Sequence, residues 1–227
     1  MNLKQQAAQA AITLVENNQV VGLGAGSTIA HVVEFLRQKI AKGLAVKLVS
    51  SSFTTQQLLL KANIPCHQVA SFAQIDIYLD GCDQFDKELN ALKSGGGIHT
   101  QEKLLANMAA QFVIVGDEAK LVDNFDSKYP LVLEVLPEAL SFVPDQIKNR
   151  FTITEYCFRL NDKRDGPVIT PNGNYLLDVY FKSWPVLADI NPDLKNIGGV
   201  VETSLFFGIA RKAIIAGEDG IRILDRS

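Results

Sequence analysis

Hydrophobic and polar positions along this chain follow two periods, and the switches between them mark its elements. In residues 3–15, Ala7, Ala8, Ala11, Ile12 and Val15 recur at helical spacing and predict an amphipathic helix. Val20-Val-Gly-Leu-Gly24 is a short apolar run closing on glycines, a first strand. Ser27 or Thr28 then caps a helix to about Ile40, with Ile29, Val32, Val33, Leu36 and Ile40 on one face. Residues 46–49 predict a second strand, and Ser50-Ser-Ser52 opens a helix over residues 54–61. A weaker strand near residues 66–69 and a buried one at 75–79 follow. An apolar helix face over residues 104–110 then leads to another buried strand at 112–115. Strands alternating with helices across short turns predict βαβ units. The expected fold is α/β, a mostly parallel sheet with flanking helices, Rossmann-like in plan.

After about Ser127 the pattern changes. Residues 131–135 read as a strand and a helix follows Pro137. Two strands flank the turn Pro171-Asn-Gly-Asn174, whose Asn-Gly tip signals a hairpin, and a helix fills residues 185–194. These predict a smaller α+β domain over residues 128–200. Short strands at 200–202, 212–215 and 221–223 are expected to rejoin the first sheet, giving a larger α/β domain of residues 1–127 and 201–227.

Composition narrows the function classes. Of 227 residues, 47% are hydrophobic and 21% charged, enough for sizeable cores. A net charge of -3 supplies no broad basic footprint, so a nucleic-acid partner is not expected. No run of apolar residues is long enough for a membrane span, and the N-terminal residues lack a signal-peptide pattern. Cys66, Cys82 and Cys157 are odd in number and form no CxxC pair, which favours free thiols and a cytoplasmic location.

Chemistry concentrates in residues 80–103, DGCDQFDKELNALKSGGGIHTQEK. Acids sit there where a buried strand ends, and Gly95-Gly96-Gly97 sits where a helix begins. In parallel α/β sheets ligands bind at the carboxyl ends of strands. Glycine turns let backbone N–H groups approach an anion, and a helix N-terminus favours negative charge. A solvated charged loop is the plainer reading, and the adjoining strand and glycine turn argue against it.

A second glycine loop, Gly22-Leu-Gly24-Ala-Gly26-Ser-Thr28, fails the dinucleotide fingerprint, because Ser27 stands where its last glycine belongs. It reads equally as a cradle for one phosphate or as a tight turn with an ordinary cap. Asp80, Asp83 and Asp86 are spaced by three, which does not suit a calcium loop. His31, His67 and His99 are scattered and form no metal-ligand set, and no metal is expected. Carboxylates and lysines remain, and they suit proton transfer between carbons next to a carbonyl. Such chemistry needs a base, a donor for the developing oxyanion and an anchor for the substrate.

At this point the residues resemble a known family, ribose-5-phosphate isomerase type A. The motifs are GLGAGST (22–28), SSSFTTQQL (50–58), DGCDQFD (80–86) and KSGGGIHTQEK (93–103). Gly116-Asp-Glu-Ala-Lys120, Glu134-Val-Leu-Pro137, GNYLLDVYF and Gly198-Gly-Val-Val-Glu-Thr203 extend the likeness over nearly the whole chain. The resemblance implies a cofactor-free aldose–ketose isomerase. It would interconvert D-ribose 5-phosphate and D-ribulose 5-phosphate through an enediolate, in the non-oxidative branch of the pentose phosphate pathway. It also implies an assembly of identical subunits, expected as a homodimer with a tetramer as the alternative.

By the same resemblance Glu102 is the proton-abstracting base, Lys93 stabilises the enediolate oxygen, and Asp80 serves ring opening or proton relay. Asp80, Gly81, Cys82 and Asp83 are expected against the sugar. Lys93, Ser94, Gly95 and Gly96 are expected to contact the substrate, as is the turn of Ala25, Gly26, Ser27 and Thr28, and Lys120 is a further substrate-binding lysine. Lys4 stands where some members hold the phosphate. The chain departs from the family pattern at Ala25 (usually Thr), Gln84 (usually Glu) and Ser94 (usually Gly), the last a cost if that position needs φ > 0. Two alternatives are a sugar-phosphate sensor and a coenzyme A transferase of related fold. The first would not need Glu102 and Lys93, and the second would show two similar halves.

Overall fold

The computed structural model describes residues 2–226; residues 1 and 227, the outer bounds of the larger expected unit, lie outside the described residues. The first half of the chain forms α1 (Leu3–Ala11), β1 (Val20–Leu23), α2 (Ser27–Ala41), β2 (Lys47–Ser50), α3 (Phe53–Lys61) and β3 (Cys66–His67). It continues with β4 (Ile75–Asp80), β5 (Gln84–Phe85), β6 (Ala91–Leu92), α4 (His99–Met108) and β7 (Ala109–Asp117). The second half forms β8 (Leu131–Val135), α5 (Phe142–Arg150), β9 (Ile153–Phe158), β10 (Tyr175–Phe181) and α6 (Leu187–Lys195). It ends with β11 (Val200–Thr203), β12 (Leu205–Phe206), β13 (Lys212–Gly217) and β14 (Gly220–Asp225).

Seven strands make the main sheet, in the order β14-β13-β7-β4-β1-β2-β3. All neighbours run parallel except β13 and β14. The α/β expectation holds. From β1 the chain steps outward to β3, then returns to place β4 on the other side of β1. Strand order reverses there, which is where open α/β sheets form a crevice for ligands. Alternating side chains feed two cores. Leu79, Val113 and Val115 pack under α1 and α2, while Tyr78, Phe112 and Ile114 face Leu105 and Ala106 of α4. Each such buried side chain contributes about 1.5–3 kcal/mol relative to exposure.

An antiparallel sheet of order β11-β8-β10-β9 carries α5 and α6, with Val143, Ile147, Ile190 and Leu194 in its core. A small sheet of order β12-β6-β5 joins residues that follow β4 to those that follow β11 and pairs antiparallel throughout.

Several expectations need correction. Strand β11 does not rejoin the main sheet: it pairs with β8, after a reversal at Gly199, whose φ is +94°. Strands β13 and β14 do join it. The Asn-Gly turn forms, with Gly173 at φ +84° donating its N–H to the Thr170 carbonyl at 2.9 Å. Its first arm, however, is only a bridge between Ile169 and Tyr175, because Gly166 and Pro167 interrupt it; the regular partner of β10 is β9. The apolar run to Ala110 leaves the helix at Met108, and its two last alanines open β7. Neither Ser27 nor Thr28 caps α2. Gly26 holds the cap position at φ +90°, a conformation that suits glycine.

Candidate active site

The crevice is built from turns that end β1 and β4. After β1, Gly24 must lack a side chain, since a Cβ there would lie 1.8 Å from the Asp80 carboxyl carbon. That closeness lets the Ala25 N–H donate to Asp80 Oδ1 at 3.1 Å, with Gly81 N–H on the same oxygen at 2.7 Å. No side chain caps α2, which leaves its first N–H groups without a capping partner, and Gly26, Ser27 and Thr28 at its start line the crevice. Lys4 Nζ donates to Ser27 Oγ at 3.0 Å beside them. An oxyanion is the natural occupant of such a helix start.

After β4 the acids take different positions. Asp80 is fully buried; its Oδ2 accepts the Tyr78 hydroxyl at 2.6 Å and lies 2.8 Å from Lys93 Nζ. Asp83 Oδ2 accepts the N–H groups of Ser94 at 2.6 Å and Gly95 at 3.0 Å, which fastens the glycine turn to the end of β4. Asp86 instead folds back on its own loop, accepting from Glu88 and Asn90. Lys93 also donates to the Gly81 carbonyl, and Lys120 to the Cys82 carbonyl.

Glu102 lies in the first turn of α4, its Oε1 3.4 Å from Lys93 Nζ. Thr100 does not cap this helix; Ile98 holds the cap position, and the Thr100 hydroxyl turns to Glu134. Burial raises the Glu102 carboxyl above the usual carboxylate range, and the charge of Asp80 adds to this while Lys93 opposes it. Burial works against the Lys93 ammonium, yet the charges of Asp80 and Glu102 outweigh it and lift the lysine above its ordinary value. One cation thus sits between two buried carboxylates.

A cavity of about 220 Å³ brings most of the expected residues together. Ala25, Gly26, Ser27 and Thr28 line one wall, Gly81, Cys82 and Asp83 the floor, and Lys93, Gly96, Glu102 and Lys120 the rest. Asp80, Ser94 and Gly95 are not on its surface: Asp80 lies behind Lys93, and the other two lie behind Asp83. The departures are accommodated. Ser94 does not adopt a positive φ, and its hydroxyl donates to the Pro130 carbonyl at 2.6 Å. Gln84 Oε1 accepts the Asp126 N–H at 2.9 Å.

Sequence reading assigned no role to Tyr78, Arg159 or Glu134. Glu134 is buried in β8 and accepts from Thr100, Thr170, Asn172 and Asn174, tying the start of α4 to the Asn-Gly turn. Its signal was a lone acid in the apolar run Leu131-Val-Leu-Glu-Val135. Tyr78 looked like any core aromatic, and Arg159 like any surface arginine.

Fold and site together define a doubly wound α/β protein in which an uncapped helix start shares a cavity with a carboxylate–ammonium cluster fit for proton transfer. The model of the ribose 5-phosphate isomerase A (phosphoriboisomerase A) family matches residues 47–220. The chain is 39% identical to ribose-5-phosphate isomerase A of Thermosynechococcus vestitus over 218 residues, 95% of this chain and 91% of that one. It is 37% identical to that of Methanothermobacter thermautotrophicus, over 99% and 98% of the two chains. A solved D-ribose-5-phosphate isomerase in complex with phospho-erythronic acid matches with a TM-score of 0.92 at 33% identity, covering 100% of both chains. Ribose 5-phosphate isomerase A from Methanocaldococcus jannaschii gives 0.90 at 34%, covering 98% of this chain and 97% of that one. This chain belongs to the ribose 5-phosphate isomerase A family.

Proposed function

We propose that this chain interconverts D-ribose 5-phosphate and D-ribulose 5-phosphate, and so serves the non-oxidative branch of the pentose phosphate pathway. One observation carries the reading. The Lys93 ammonium lies between the Asp80 and Glu102 carboxylates, beside a cavity that ends on the uncapped start of α2. In this reading the phosphate takes the N–H groups of residues 26–28, with Lys4 alongside, and the opened sugar reaches toward Glu102.

Glu102 takes the C2 proton. The C2–H electron pair forms the C1–C2 double bond, and the carbonyl pair moves to O1, where Lys93 faces the new charge. The O2 proton passes to O1, and protonated Glu102 returns its proton to C1, leaving a ketone at C2. A raised carboxyl suits both halves of this exchange, since the base must accept a proton and then release it. Asp80 acts through Lys93, which it holds from behind. Asp83 anchors the turn with one oxygen and offers the other to a sugar hydroxyl, and Lys120 supplies a further donor. The three free cysteines support a cytoplasmic setting. The reading includes a homodimer but no nucleic acid, membrane or cofactor.

The test is an assay of the purified protein with ribose 5-phosphate, a chelator and no coenzyme, scored for ribulose 5-phosphate. Turnover is expected, with unphosphorylated ribose a far poorer substrate because remote binding energy orients the reacting carbons. Equal kcat/KM for the two sugars would refute the phosphate assignment.

A further inference from the structure

We propose that Arg159 is a positioning residue for this isomerisation: reaching from the four-stranded sheet, it orients two peptide groups of the glycine turn so that the Gly96 N–H points at the oxygen that becomes negative. The inference rests on the isomerase reading above and adds a residue to it.

Arg159 directly follows β9. Its N–H donates to the Leu176 carbonyl at 2.9 Å, and its carbonyl accepts the Val168 N–H at 2.8 Å, so its backbone is held on both sides. Its guanidinium grips Asp178 with two nitrogens, Nε at 3.2 Å and Nη2 at 2.7 Å. A structural ion pair would need no more. Yet the same guanidinium crosses to the glycine turn, where Nη2 donates to the Ser94 carbonyl at 2.9 Å and Nη1 to the Gly95 carbonyl at 3.2 Å.

Those two bonds set the direction of two N–H groups. No described peptide bond is cis, and in a trans peptide the N–H points away from the preceding carbonyl. The Ser94 carbonyl faces Arg159, and the Gly95 N–H accordingly faces the opposite way, to Asp83 Oδ2. The Gly95 carbonyl also faces Arg159, so the Gly96 N–H is turned to the far side as well. Gly96 lines the cavity with Lys93 and Glu102, and among the described residues its N–H has no acceptor. Glycine is the residue least able to hold such a direction unaided. The sheet supplies the hold: Gly97, at φ +67°, is packed so that a Cβ would fall 2.8 Å from Leu176 Cδ1. A cation on the carbonyl side also strengthens the N–H as a donor, and a donor fixed in advance costs no reorganisation as charge develops.

The test compares wild type with Arg159→Ala, Arg159→Lys and the double variant Arg159→Ala/Asp178→Asn. Arg159→Ala should lower kcat on the order of 10-fold to 10²-fold with KM within about threefold, as for a group displaced by a fraction of an ångström. Arg159→Lys should keep most of that loss, because an ammonium cannot span Asp178 and both carbonyls. The double variant removes the stranded carboxylate, so it should recover thermal stability while kcat stays low. Added guanidinium ion, at millimolar concentration, should restore part of the kcat of Arg159→Ala where ammonium does not. A double variant with wild-type kcat, or an Arg159→Ala effect confined to KM, would overturn the proposal. A separate readout needs no substrate: in the NMR spectrum of the free protein, Arg159→Ala should move the Gly95 and Gly96 amide signals. Unmoved signals would also overturn it. A wild-type protein inert toward ribose 5-phosphate would refute the isomerase reading alone, and the amide signals would still decide the positioning.

Discussion

Two buried lysines flank Phe206, and they differ in what surrounds them. Lys93 Nζ lies 5.8 Å from the ring centroid and Lys103 Nζ 5.2 Å. At Lys93 one ammonium meets two carboxylates, Asp80 and Glu102. At Lys103 the ratio inverts, because it shares the single carboxylate of Glu202 with Lys195. Burial penalises both lysines, but only Lys93 is lifted above its ordinary value; Lys103 is pushed down to about 8. The acids mirror this. Burial works against the charge on Glu202, yet Lys103 and Lys195 hold its carboxyl below the usual range, whereas Glu102 is raised. Burial alone therefore does not decide which group is poised to move a proton. The neighbouring charges separate the two lysines, while at Glu102 burial is the largest cause of the rise and Lys93 opposes it.

Removing that acid should have the largest effect. Glu102→Gln keeps size and hydrogen bonding but cannot accept the C2 proton, and should cost on the order of 10²–10⁴ in kcat. In heavy water the wild type should place deuterium at C2 of recovered aldose, and the variant should not. Near-normal turnover would move the base elsewhere and end the comparison. Next in size is Lys93→Met, expected to cost on the order of 10²–10³ in kcat. It also sharpens the argument through pH. With Glu102 as the base, kcat/KM should fall as pH drops through its raised value. Lys93 holds that value down, so its removal should shift the acid limb of the profile to higher pH. A limb that stays in place would mean that Lys93 does not set the charge of Glu102.

How much of this was legible in the chain depended on whether a signal was local. The main sheet was, because its short apolar strands alternate with amphipathic helices. So was the stretch of residues 80–103, because acids and glycines adjoin predicted element ends; Lys93 and Glu102 were singled out within it by resemblance to the family. The pairing of β11 with β8 was not, since a short strand carries no mark of which sheet it will enter. The cap position failed for a similar reason: Ser27 and Thr28 have the right side chains, but Gly26 holds the cap site. Arg159 gave no signal, and the lone acid Glu134 gave one without a meaning, because their partners lie far away in sequence, at residues 94–95 for Arg159 and at residues 100 and 170–174 for Glu134. That Asp80 would sit behind Lys93 rather than on the cavity surface could only come from packing.

The smallest effect is expected at Lys103, which adjoins Glu102 in sequence but faces the other cluster. Lys103→Met keeps the length of the side chain against Phe206 and removes the charge. Glu202 retains Lys195 at 2.7 Å and the Thr203 N–H at 2.8 Å, so no carboxylate is stranded. Turnover should stay within about threefold of wild type, since no reacting atom loses a partner. Stability should respond instead, with a defined sign. The folded chain releases the Lys103 proton near 8, while the unfolded chain holds it to the ordinary value of 10.5. Between those values the unfolded state binds more protons, so this group makes stability rise with pH across that window. Lys103→Met lacks the titration and should lose that part of the slope. Urea midpoints of both proteins, measured at the two ends of the window, give the comparison directly. Equal slopes would mean that Lys103 is not depressed, and the contrast between one shared acid and two would no longer hold.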